Sequence, residues 1–385
     1  MSNIKRYGNG WEQTKLGNLG TFIRGRGIPK RDLREEGVPC ILYGEIYTTY
    51  NTFTSKLKSR SKIENLEKSP QIKFGDILFA TSGETRDEIG KHVMYLGEET
   101  AIAGGDILVF RPKDEIKNLA YSYVLETESI RKQKFQLAEG HSVVHLYQEH
   151  LSNLKVPLIP KDEQQKIASI LSTWDEAIEK YQNFLELIKL EKEGIAHRAI
   201  VQNAPQIGGY RKYKIGEILT YEQPQKYLEN DISEEKEKDT VPVLTANKAF
   251  VLGYSKNLEG TYHEYPAIIF DDFTTDIKYV DFEFKVRSSA IKILSAKSDD
   301  INLKYVYETM NLIRFPLGGH KRHYISEYQY IKVGLPPKEY QDKIANLLTN
   351  MDEKIKLIDS MIENLKEQKR GLMQLLLTGK VRVWG

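Results

Sequence analysis

The residues of this 385-residue chain best fitted for chemistry are cationic and small polar ones, gathered in short clusters. The densest is Gly319-His320-Lys321-Arg322-His323-Tyr324. Thr245-Ala246-Asn247-Lys248 and Thr274-Thr275 share its half of the sequence. The other half offers Arg24-Gly25-Arg26-Gly27 with Lys30-Arg31, then Thr48-Thr49, Thr81-Ser82-Gly83, Arg86, Lys91 and His141. Lys and Arg neutralise phosphates, while Arg, Lys, Asn, Ser and Thr hydrogen-bond base edges in the major groove. The spacing therefore predicts DNA contacts from Arg24, Arg26, Lys30, Arg31, Thr49, Ser82, Arg86, Lys91 and His141. From the second half it predicts Thr245, Asn247, Lys248, Thr274, Thr275, His320, Lys321, Arg322, His323 and Tyr324. Any one of them alone reads equally well as solvated surface. Their clustering with glycines and aromatics favours nucleic acid.

Catalytic patterns are missing. The stretch from Gly83 to Gly90-Lys91-His92 has the wrong spacing for a phosphate-binding G-x-x-x-x-G-K-[ST] loop. No H-E-x-x-H occurs, and His141 and His145 have no evident third ligand, so no metal site is expected. One alternative competes. Asp271-Asp272 followed by Glu283-Phe284-Lys285 has the acid…acid-x-Lys spacing of a Mg²⁺-dependent nuclease, in which carboxylates hold the metal and a lysine helps activate water. Phe270-Asp271-Asp272-Phe273-Thr274-Thr275 also reads as strand, turn and polar loop.

Charge is local. The net formal charge is only +2, yet residues 1–60 hold eleven Lys/Arg against five Asp/Glu, and 311–338 hold five against one. Residues 162–202 reverse the sign, with five against eight. Cys40 is the single cysteine, which excludes an intramolecular disulfide and fits a reducing compartment. With no long apolar stretch and no apolar run in Met1–Trp11, a soluble cytoplasmic protein is expected.

The elements that must carry these clusters are written twice. Pro160-Lys161-Asp162-Glu163-Gln164-Gln165-Lys166-Ile167-Ala168 matches Pro337-Lys338-Glu339-Tyr340-Gln341-Asp342-Lys343-Ile344-Ala345, and Trp174-Asp175-Glu176 then matches Met351-Asp352-Glu353. Weaker pairs lie upstream: Lys15-Leu16-Gly17 with Lys214-Ile215-Gly216, Asn118–Tyr123 with Asn302–Tyr307, and Gly140-His141 with Gly319-His320. The period is too long for a solenoid. The order is domain, helix, domain, helix, with expected bounds of 1–155, 156–205, 206–335 and 336–385.

Each proline opens a helical run with acidic residues in its first turn, where the macrodipole favours them. Apolar residues then step by four and three: Ile167, Leu171, Trp174, Ile178, Tyr181, Leu185 and Ile188, and Ile344, Leu348, Met351, Ile355, Ile358, Ile362 and Leu365. Both seams break at the same phase, at Lys192 and Lys369, and resume beyond. This predicts an antiparallel coiled coil of two helices, each roughly 55 Å long at 1.5 Å per residue. A polar seam residue often fixes register. The alternative is a stripe packed on an ordinary core. Short apolar runs at Ile77–Phe79, Ile107–Phe110, Ala267–Phe270 and Ile291–Leu294 predict strands, and Glu234–Asp239 a solvated loop. The fold class is α+β, with two duplicated mixed α/β domains joined by two long helices.

This layout resembles the specificity subunit of Type I restriction–modification systems across nearly the whole chain. The most specific parts are Pro160–Ala168 with Leu171 and Asp175, and the copy from Pro337 to Asp352, which departs by carrying Tyr340 where the family usually has Glu. The resemblance implies two target-recognition domains, each reading one block of a bipartite asymmetric site in double-stranded DNA. It implies that the coiled coil sets the unread spacer and docks two modification subunits. These methylate adenine with S-adenosylmethionine, and restriction subunits add ATP- and Mg²⁺-dependent translocation and cleavage. No cofactor is expected in this chain. A stand-alone two-domain DNA-binding or scaffold protein is the other reading.

Overall fold

The computed structural model describes residues 6–7 (backbone only), 11–113, 119–246, 249–315 and 322–383. Asn247, Lys248, His320 and Lys321 lie outside the described residues. The chain divides into two compact units. One holds residues 1–180 with 361–385, the other 181–360. Each unit thus contains a globular part and a stretch of both long helices.

The two globular parts repeat one topology. In the first, Gly20–Arg24, Ile107–Pro112 and Ile77–Ala80 lie side by side, antiparallel, in a five-stranded sheet. In the second, Leu219–Glu222, Ile291–Ala296 and Ala267–Asp271 lie in the same order. A further sheet in each contains a parallel pair: Val38–Ile41 with Ala101–Ala103, and Val241–Leu244 with Lys285–Val286. The central strands are buried along their length and apolar, which is why the sequence shows them as continuous apolar runs. Residues 234–239 are exposed, as expected of a charged loop.

A strand delivers the chain to each long helix. Lys155–Leu158 pairs with Trp11–Lys15, and Lys332–Leu335 with Arg211–Lys214. The first long helix spans Lys161–Ala196 and widens into a π-helical stretch at His197–Asn203; the second spans Lys338–Leu376. The shared glutamine explains the repeated motif. Gln164 Nε2 donates to the Ile159 carbonyl at 2.7 Å, and Gln341 Nε2 to the Pro336 carbonyl at 2.8 Å. Each glutamine folds back over its proline and pins the strand-to-helix turn, a buried bond whose loss would leave a carbonyl unpaired. The divergent residue beside it is also explained. Glu163 is buried, paired with Arg382 and contacted by Trp11 Nε1 at 3.4 Å. Its counterpart Tyr340 donates instead to the Ala199 carbonyl at 2.9 Å, within the π-helical stretch.

Within each unit the two helices run antiparallel. In the first, Glu163 meets Arg382 and Asp175 meets Lys369 at 2.6 Å. In the second, Lys192 meets Asp352 at 2.7 Å and Ala199 meets Tyr340. Every seam residue is buried or half-buried. The two lysines that interrupt the seams thus find the aspartates of the repeated Asp-Glu pair on the opposite helix. Each pair also takes in a helix of the globular part. Tyr123 donates to Asp175 at 2.6 Å, and Lys369 lies over its ring. In the second unit Lys304 and Glu308 join Lys192 and Asp352 in a four-membered network. Burial pushes the Asp352 carboxyl up, but Lys192 and Lys304 outweigh it and hold it below the ordinary carboxylate range. A polar residue in an apolar seam is tolerated only in register with its partner, so each junction fixes how its globular part sits on the helix pair.

Candidate nucleic-acid interface

In both globular parts several of the described candidates adjoin one end of the main sheet: Arg24, Arg26 and Ser82 in the first, Thr274, Thr275 and Arg322 in the second. In the first, this end is formed where Gly20–Arg24 and Ile77–Ala80 finish and Ile107–Pro112 begins. Gly25 N donates to the Ile107 carbonyl and Arg26 N to the Ala103 carbonyl. A Cβ on Gly25 would stand 1.9 Å from the Gly104 oxygen, so only glycine lets this segment lie so close. Arg24, Arg26, Lys30 and Arg31 are exposed along it, and Arg26 also donates to the Lys68 carbonyl at 3.1 Å.

The neighbouring segments are tied together by the candidates themselves. Lys91 Nζ donates to the Tyr47 carbonyl at 2.8 Å, Tyr47 Oη to the Ser82 carbonyl at 3.1 Å, and Arg86 to the Gly140 carbonyl at 3.3 Å. Thr49, at the end of the helix Tyr43–Thr48, and His141 are exposed. Ser82 is not a surface residue. It is buried, and its hydroxyl sits 3.0 Å from His145 Nδ1, joining two short strands.

In the second part, Thr245 closes a turn by donating to the Ala249 carbonyl at 2.7 Å. Asp271 Oδ1 accepts the Phe273 and Thr274 amides at 2.9 and 3.0 Å, and Thr275 takes a positive φ of 60°, so the tip between two strands projects Phe273 and Thr274 into solvent. Arg322 is exposed. His323 and Tyr324 correct the sequence expectation, since both are fully buried. Tyr324 packs edge-on against Phe270 and Tyr221, and burial raises its hydroxyl pKa. His323 packs against Phe315. Aromatic residues next to a cationic cluster read the same in sequence whether they face DNA or the core, and here the core takes them. Conversely, Phe273 and Tyr147 are about half exposed and were not predicted, although Phe273 adjoins the predicted Thr274-Thr275.

The nuclease set is not brought together. Lys285 is buried and spent on Glu229 at 2.8 Å and the Asn257 carbonyl at 2.9 Å. Glu283 lies beside His263, Asp271 caps the turn, and Asp272 faces Lys292. Among the described residues no group of three or more His, Cys, Asp or Glu is placed to hold a metal ion. Nor is any helix among them long and apolar enough to cross a membrane.

Arg322→Ala is expected to weaken specific DNA binding. A base contact would cost about 1–3 kcal/mol and relax one position, and a phosphate contact would lower the salt slope by about one. Titrations at several salt concentrations distinguish these. Unchanged affinity and slope would remove Arg322 from the interface.

Comparisons with known proteins identify the family. The profile of the family described as "Type I restriction modification DNA specificity domain" matches twice, over residues 8–189 and 208–367. The chain is 45% identical over 139 residues to the Type I restriction enzyme EcoR124I/EcoR124II specificity subunit of Escherichia coli, a match covering 34% of this chain and 33% of that one. It is 27% identical over 412 residues to the putative type I restriction enzyme MjaX specificity subunit of Methanocaldococcus jannaschii, covering 97% and 94%. Its fold is similar to the crystal structure of a Type I restriction–modification S subunit from M. genitalium, with a TM-score of 0.63, 17% identity and coverage of 98% and 97%.

Proposed function

The chain belongs to the Type I restriction–modification DNA specificity family, and from that premise we propose that its two globular parts each read one block of a bipartite DNA site. It is a non-catalytic recognition subunit. The observation that carries the two-block reading is the duplication itself, since the same three-strand order occurs once per unit, followed by exposed Arg24 and Arg26 in the first and by exposed Thr274 and Arg322 in the second. Phosphate contacts from Arg24, Arg26, Lys30 and Arg31 would position the first part, and Thr274, Thr275 and Arg322 would act for the second. Asn247, Lys248, His320 and Lys321 complete the proposed set. Domain bounds near 155, 205 and 335 separate the readers from the helices.

The two helices act together as an antiparallel coiled coil that fixes the unread spacer and docks two modification subunits. S-adenosylmethionine belongs to those subunits, and ATP and Mg²⁺ to restriction subunits. The complex works on DNA in the cytoplasm. At 36 and 39 residues, helices of about 54 and 58 Å can span block centres one duplex turn, about 34–36 Å, apart.

Methylation mapping in cells with and without the gene tests this reading, which expects a two-block site that disappears with the gene. Inserting four residues after Lys189, roughly one helical turn, should lengthen the spacer and keep both blocks. It should also lower the melting temperature, because Lys192 must slide a turn past Asp352. An active complex with an unaltered spacer would refute the ruler.

A further inference from the structure

We propose that Asp271 and Asp272, with Lys292 behind them, are the positioning residues of the second reader, hanging its Thr274-Thr275 and Arg322 loops on one strand end. The proposal rests on the reading that this end of the sheet meets DNA.

The sister unit supplies the control. There, Thr81 N donates to the Asp106 carbonyl and Leu146 N to the Thr81 carbonyl; here, Asp272 N donates to the Ala290 carbonyl and His323 N to the Asp272 carbonyl. Strand register agrees, with Leu108 opposite Phe79 and Lys292 opposite Phe270. Asp272, Lys292 and His323 thus occupy the places of Thr81, Leu108 and Leu146. The fold is satisfied by a threonine and two leucines in one copy, and carries a wholly buried aspartate, lysine and histidine in the other.

Folding does not account for this exchange. A buried ion pair is commonly no more stabilising than apolar residues of similar volume, because both charges lose their hydration. Lys292 Nζ lies 3.2 Å from Asp272 Oδ2, as an ion pair rather than an aligned hydrogen bond, and also donates to Gln223 Oε1 at 2.9 Å. Among the described residues neither ring nitrogen of His323 has a hydrogen-bond partner, although the Glu327 carboxylate lies 3.9 Å from Nδ1. Such groups are held in place against a local cost.

What the charges supply is direction. Asp272 accepts the His323 amide on its carbonyl at 2.9 Å and the Tyr324 amide on Oδ1 at 2.8 Å, and the residue preceding these two amides is Arg322. Lys292 fixes the carboxylate from behind. Asp271 Oδ1 closes the adjacent tip that carries Thr274 and Thr275. Two adjacent aspartates therefore set the separation of two loops that reach for the same DNA block, while the pair itself stays out of contact with DNA.

The test installs the sister unit's residues, Asp272→Thr with Lys292→Leu, in the full chain assembled with its modification subunits. A random duplex library selected by the wild-type complex defines the two blocks; duplexes with single-base changes in each then measure selectivity. The expected result is a melting temperature equal to or above wild type, at least a ten-fold loss of selectivity in the second block, and an unchanged first block. A stable variant with wild-type selectivity in both blocks overturns the proposal. Should this variant not fold, Asp271→Ala, which frees only the tip, decides instead: the same loss confined to the second block supports the proposal, and none overturns it. Arg322→Ala and exchange of the whole domain run alongside. If neither alters the second block, the DNA reading itself falls and takes this inference with it. If they alter it while the aspartate variants do not, only the anchor falls.

Discussion

Exchanging residues 210–335 for the recognition domain of another family member should replace one block of the target and leave the other untouched. The second unit's core is built around Ile268, Phe270 and Leu294 and also takes in Ala199, Ile344 and Leu348 of the long helices, so the graft brings most of its own core and must present a matching apolar face to them. Its polar connections to the helices are the bonds of Asn302 and Asp300 with Gln341 and Asp342 and the charged junction. Lys304 and Glu308 of the globular part bind Asp352 and Lys192 of the helices. A graft lacking both still leaves Lys192 opposite Asp352, as Lys369 lies opposite Asp175 in the first unit, where the globular part adds the uncharged Tyr123. The helix pair should therefore accept it. Each mismatched base pair costs about 1–3 kcal/mol, so three or four changed positions in one block would abolish methylation of the old site. Methylation mapping reads the outcome directly, and a shift of both blocks together would show that the readers are not independent.

The helices were legible in the sequence because their signal is local and repeated. Proline, first-turn acids, a four-and-three seam and a shared break are all read within a few turns, and the break residues Lys192 and Lys369 do meet carboxylates on the opposite helix. The buried strands were legible as apolar runs, but their order was not, since pairing such as Gly20–Arg24 with Ile107–Pro112 joins residues 84 to 92 positions apart. The candidate site was legible only as clusters. Sequence places Arg322, His323 and Tyr324 side by side, and nothing in it tells that the first faces solvent while the other two enter the core. The same limit produced the nuclease alternative. Asp271, Asp272 and Lys285 have a suggestive spacing, yet each is consumed by a partner distant in the chain or by its own turn. Glu163 shows the converse, a residue whose partner Arg382 lies 219 positions away and leaves no local trace.

A protein consisting of residues 1–205 should form an antiparallel homodimer and, with modification subunits, direct methylation to a palindrome built from the first block twice. Its helix would be left with a bare seam, and the helix that normally covers it is a near copy of itself. The repeat maps Asp175 onto Asp352 and Lys192 onto Lys369, so two such chains related by a twofold axis would form the Asp175–Lys192 junction twice, one from each side. Lys192→Asp places like charges at both junctions and should give monomers. Adding Asp175→Lys restores opposite charges and should restore the dimer, as sedimentation would show. One feature opposes the dimer. Glu163 is buried against Arg382, which the truncated protein lacks, and an uncompensated buried carboxylate weakens association. The second copy shows the remedy, because Tyr340 at the equivalent place donates to the Ala199 carbonyl, a group the half-length chain retains. Glu163→Tyr should therefore tighten the homodimer about 10- to 100-fold, roughly 1.4–2.8 kcal/mol. In the full-length chain the same substitution should be destabilising, since it removes the buried Glu163–Arg382 ion pair. If Glu163→Tyr weakened the homodimer, or if the unmodified half-length protein were a well-folded monomer, the helix–helix register read from Asp175, Lys192 and Tyr340 would not be the one the short chain uses.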